Sequence, residues 1–215
     1  MNAADFEPLY RQALEQRELK LGKSAAKTLE SARDLGLYLA ARGEVARAAS
    51  YLTAALAASS TLDAATVLHN WGVAVDDPAV AGKLYRKALE IRLKGLPAGD
   101  IDLATTRLNL AELLMRRGDS SAGALAFAAQ GAFEKLPFDI RTGVACGLVG
   151  AVLAIRGDVA GAERMFRRSL TIAEKSNGDI AGALENLADL LSQTGRESAA
   201  RPLLDRAGRI RAGAR

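Results

Sequence analysis

The chain has 215 residues, 49% hydrophobic but only 5% aromatic, and 29 basic against 25 acidic residues leave a formal net charge of +4. No apolar run of about 18 residues occurs, so no membrane-spanning helix is predicted, and a single cysteine, Cys146, excludes an internal disulfide framework. With one histidine, one cysteine and no phosphate-cradling loop, the chain displays no catalytic or metal-binding constellation; neither enzymatic activity nor a cofactor is expected.

In chain order, Met1–Glu7 lacks the basic and apolar regions of a secretion signal, which makes the cytoplasm the expected location. Phe6, Leu9, Tyr10, Ala13 and Leu14 then fall on one face of a first, unpaired helix. A phrase follows that repeats to the end of the chain: Leu35-Gly36, Leu39, Gly43, Ala48, Leu52, Ala55. It returns as Leu110-Ala111, Leu114, Gly118, Gly123, Phe127, as Val149-Gly150, Leu153, Gly157, Ala162, Phe166, and as Leu187-Ala188, Leu191, Gly195, Ala200, Leu204, Ala207. A fifth copy, Trp71-Gly72, Val75, Ala81, Tyr85, Ala88, has a shorter turn. Each half of the phrase has helical spacing, so the pattern predicts about eleven helices: one alone, then five pairs.

The turn chemistry agrees. Gly43, Gly118, Gly157 and Gly195 stand where the first helix of a pair must stop, because glycine takes the left-handed conformation without a Cβ clash. Asp119 and Asp158 are placed to cap the second helix, and Asp77 before Pro78 does the same in the shorter turn. In the second helices a large residue lies between two small ones, a spacing that lets helix axes approach while the large side chain fills the facing groove. Trp71 and Cys146 occupy packing positions, so a core indole and a buried thiol are expected.

These residues resemble the tetratricopeptide repeat. Their spacing exceeds the usual 34 residues, with 39 from Gly118 to Gly157 and 38 from Gly157 to Gly195, which is most similar to the kinesin-light-chain type. Gln130 and Ser169 depart from the alanine expected in the second helix. The resemblance implies an all-α solenoid of helix-turn-helix repeats forming a right-handed superhelix. It is expected as one repeat domain: a half repeat or capping helix at 1–27, then pairs at 28–60, 61–101, 102–141, 142–180 and 181–215.

One register remains unexplained by packing. Asp34, Asn70, Asn109, Leu148 and Asn186 precede the first packing position of each opening helix. Asparagine is a mediocre helix former, yet its amide offers both donor and acceptor to an extended peptide. The resemblance implies that this register faces a concave groove, and that Asn70, Asn109 and Asn186 contact bound peptide there. Asp34 would accept but not donate, and Leu148 would add an apolar contact. The alternative is that the amides bond to neighbouring helices and hold the repeats in register. Neighbouring inward positions add Arg33, His69, Glu112, Arg116, Glu185 and Asp189, a groove of mixed sign.

The resulting expectation is a non-enzymatic scaffold binding a peptide segment or partner protein; the alternative is a sensor module of a larger protein, binding a peptide signal or its own chain. The first helix, lacking a preceding partner, is a candidate for self-association. Arg196, Arg201, Arg206, Arg209, Arg211 and Arg215 crowd at the C-terminus, but no aromatic residues are interleaved to stack bases, which argues against nucleic acid.

Overall fold

Eleven α-helices, and no strand, form among the described residues of this computed structural model, which are 6–57, 61–136 and 138–213. Met1–Asp5 and Arg215 lie outside them. The lone first helix is α1 (Glu7–Leu21); the pairs are α2 (Ala26–Ala41) with α3 (Val45–Ala57), α4 (Thr61–Ala74) with α5 (Pro78–Gly95), α6 (Ile101–Arg116) with α7 (Ala122–Phe133), α8 (Ile140–Ile155) with α9 (Val159–Ser176), and α10 (Ile180–Gln193) with α11 (Glu197–Arg211). The chain divides into two compact units, residues 1–97 and 98–215.

The four turn glycines all take positive φ, between 69° and 80°, so a side chain at any of them would be strained. Asp77 and Asp158 cap α5 and α9 as expected, accepting from the backbone amides of Ala79 and Gly161 at 2.7 and 2.8 Å. Asp119 does not cap: its carboxylate accepts from the amide and hydroxyl of Ser121, and α7 begins one residue later. The extra residues of that turn move the helix start beyond the aspartate's reach. A second set of caps opens α6, α8 and α10, where Asp100, Asp139 and Asp179 each precede an isoleucine.

The small-large-small spacing acts through the opposite helix. A Cβ added at Gly36 would lie 2.7 Å from Leu52, at Gly72 2.7 Å from Tyr85, and at Gly150 2.8 Å from Phe166. All three large side chains are buried over their glycines. Where the glycine is replaced by Ala111 or Ala188, the partner is displaced outward: Phe127 is only half-buried and Leu204 is 43% exposed. Leu203 packs into the core of the last pair instead.

Within the first unit, Leu14 is the buried residue of α1, and Tyr10 lies 5.1 Å from the Tyr38 ring. Phe6 and Leu9 remain exposed. Trp71 packs against two core clusters. Within the second unit, Ser169 explains its departure from alanine: its buried hydroxyl donates to the Gly143 carbonyl at 2.8 Å. Ion pairs tie alternate helices there, Glu134 to Arg168 at 2.7 Å and Glu174 to Arg206 at 2.6 Å.

Candidate functional site

In the first unit, Asp34 sits half-buried on α2 and is paired with its neighbour Arg33 at 2.9 Å. Asn70 is exposed on α4. His69 beside it is buried, its ring tilted against Tyr85 with centroids 5.5 Å apart. That histidine therefore serves packing, because Tyr85 is drawn inward over Gly72 and His69 covers its edge.

In the second unit, the first helices of consecutive pairs, α6, α8 and α10, pack side by side. Between them lie two depressions. The larger, of about 470 Å³, is lined by Glu112 and Met115 of α6, Ile140, Val144 and Leu148 of α8, and Asn186 of α10. The smaller, of about 250 Å³, continues along α8 and α10 past Ile155, Asn186 and Asp189. Asn186 and Ala151 line both.

Gly143 and Gly147 of α8 and Gly182 of α10 also line the larger depression. The α8 face along the two depressions is apolar: Ile140 is 49% exposed, Val144 40% and Ile155 78%. These residues and half-buried Leu148 recur at three- and four-residue multiples along one face of α8. Between Thr142 and Ile155 that helix carries no charge.

Asn186 and Asp189 are exposed on α10, and Asn109 is half-buried on α6. The Asn70 and Asn186 amides have no hydrogen-bond partner among the described residues, whereas Asn109 is engaged. Glu112 is paired with Arg116 one turn away at 2.5 Å. Glu185 turns toward α11 and accepts from Arg211 at 2.6 Å, which holds its carboxyl below the usual glutamate range. Arg196 and Arg206 are likewise paired, with Glu163 and Glu174. Three of the six C-terminal arginines are thus occupied by carboxylates of their own unit.

No group of three or more potential metal ligands assembles among the described residues. Cys146 is fully buried on α8, and burial pushes its thiol pKa up, the opposite of what a nucleophile needs. No helix is long and apolar enough to cross a membrane. The sequence pointed to the α8 face only through Leu148. The isoleucines and glycines that complete it follow helical spacing, but their convergence with α6 and α10 depends on residues about 35 apart.

Comparison with known proteins agrees with this architecture. Residues 142–179, the α8–α9 pair, match the tetratricopeptide repeat family. No curated protein sequence matches the chain. Among solved structures, BtubC (BKLC) from P. vanneervenii is 19% identical, with 96% of this chain and 90% of that one covered and a TM-score of 0.78. A putative kinesin light chain of Podosopora anserina with nearly identical TPR-like repeats is 16% identical, covering 89% of this chain and 98% of that one at a TM-score of 0.66. YrrB, a TPR protein with an unusual peptide-binding site, is 22% identical, covering 92% and 90% at 0.59.

Proposed function

We propose that this chain, a tetratricopeptide-repeat protein of the kinesin-light-chain-like type, is a non-enzymatic interaction scaffold that takes a peptide segment of a partner protein on the exposed face of its first helices. The observation that carries this reading is the pair of depressions along α6, α8 and α10, both lined by Asn186, whose amide has no hydrogen-bond partner among the described residues. An exposed amide in a mediocre helix-forming residue, beside an apolar trough, suits an extended backbone that needs both a donor and an acceptor. The peptide-binding site of YrrB, on the same kind of fold, supports the reading by analogy.

In this reading Asn109 and Asn186 contact the peptide backbone on the second unit, where Leu148 supplies apolar contact and Glu112, Arg116 and Asp189 border it; on the first unit Asn70, with Asp34 and Arg33, offers the same chemistry. The triple substitution Asn70/Asn109/Asn186→Ala tests the assignment. Captured partner should fall sharply, since each lost amide leaves peptide groups unpaired, at about 1–3 kcal/mol apiece when desolvated. The melting temperature should hardly move, because exposed polar truncations change stability by under about 0.5 kcal/mol. Lost stability with unchanged affinity of the folded fraction would instead assign these amides to repeat register.

The exposed Phe6 and Leu9 of α1 supply a second surface, which we propose mediates self-association. Light scattering should detect dimers that Leu9→Glu dissolves; a wild type that stays monomeric at high concentration rejects this.

A further inference from the structure

We infer that the trough of the second unit selects segments that combine apolar side chains with lysine or arginine, in other words a basic amphipathic peptide; this rests on the peptide-scaffold reading above and adds the chemistry of the occupant. The floor is the α8 stripe of exposed Ile140, Val144 and Ile155 with half-buried Leu148, along a helix with no charge beyond Arg141. From Ile140 to Ile155 the stripe runs about 22 Å at 1.5 Å per residue, the span of about seven residues of extended chain.

The walls have one sign. The titratable side chains lining the two depressions are Glu112, Asp179 and Asp189, all carboxylates. Arg116, beside them on α6, is engaged by Glu112. Asp179 caps α10 through the Gly182 amide at 2.9 Å and lies within electrostatic reach of Arg211, which Glu185 holds. Asp189 has no hydrogen-bond or ion-pair partner among the described residues. The chain is basic as a whole, so this acidic border runs against its net charge of +4. An acidic segment would meet these carboxylates as like charges, and a purely apolar one would leave them without partners.

Selection from a random octapeptide library displayed on phage, with Val144→Gln for counter-selection, tests the inference. Val144 is 40% exposed, so the variant should fold, and an unchanged melting curve verifies it. Gly147→Met, which fills the larger depression without charge, is the second counter-selecting variant. Peptides that bind wild type but neither variant should be rich in Lys or Arg alternating with apolar residues. Synthesised singly, they should bind more weakly as salt rises from 50 to 500 mM, and Asp189→Asn should weaken them about two- to fivefold. Variant-sensitive peptides that are neutral or acidic would overturn the basic specificity while leaving the trough as a peptide site. If no selected peptide is sensitive to either variant, the trough is not a peptide site and both readings fall.

Discussion

The helices α8 and α10 occupy equivalent places in consecutive repeats, and their buried halves are nearly interchangeable. Val149 and Leu187 are both buried, Gly150 meets Phe166 of the following helix, and Ala188 is buried in the cluster against which Leu203 packs. Their exposed halves share nothing. Where α8 has Gly147, Leu148 and Ala151, α10 has Glu185, Asn186 and Asp189. The difference teaches which positions the repeat itself dictates. Buried positions answer to neighbouring helices and so recur, whereas the outward register is free of that constraint and differs from repeat to repeat.

A truncation in the shared, buried half should be the most damaging. Leu187→Ala removes a side chain that is 1% exposed and should cost about 2–5 kcal/mol, read as a lower denaturation midpoint. Leu148→Asn, which gives α8 the outward residue of α10, should cost far less. If the two variants unfold at the same denaturant concentration, the division into dictated and free positions is wrong.

Overpacking the α8–α9 contact ranks next. Ala162 is fully buried between Phe166 and the following pair. Ala162→Leu should destabilise by about 1–3 kcal/mol, because close-packed neighbours must separate to admit three more carbons. A midpoint equal to wild type would mean that the helices have room to spare.

The buried half was legible in the sequence because packing imposes spacing: Leu35, Leu39, Ala48 and Leu52 announce one pair, and the turn glycines mark its limits. The outward half was legible only where a residue type was unusual for a helix, as with Asn70 and Asn186. The trough was not legible, because it is assembled from helices that lie far apart in the chain. Ile140, Val144 and Ile155 read as one face of α8, and only the approach of α6 and α10 sets Glu112, Asn186 and Asp189 beside them. Pairing was equally hidden. Glu185 shares its periodicity with the groove residues, yet Arg211 turns it toward α11, and His69 is buried by a contact with Tyr85 that no local pattern announces.

Gly147 permits a smaller test of the bare α8 surface. An added Cβ would lie 3.4 Å from the Ser169 hydroxyl oxygen, an ordinary contact. Gly147→Ala should therefore stabilise by about 0.5–1 kcal/mol, the helix-propensity difference, while narrowing the trough. A lower melting temperature would show that the glycine is needed for close approach to α9 and not for an opening.

The smallest expected effect separates the same register on the other helix. Glu185 stands where α8 has Gly147, and the Arg211 guanidinium hydrogen-bonded to it lowers its carboxyl pKa in the folded chain. A carboxyl whose folded pKa is depressed binds its proton more readily when unfolded. Its contribution is present above the ordinary glutamate value of about 4.3 and is lost as pH falls through the lower folded value. Because the pair is exposed to solvent and screened by salt, the effect should be slight. Thermal melts of wild type and Glu185→Gln between pH 3 and 7 should differ most near neutrality and converge in acid, the gap shrinking at high salt. Parallel curves across that range would mean that the ion pair does nothing to fasten α10 to α11, and Glu185 would then return to the outward face that Asn186 and Asp189 present.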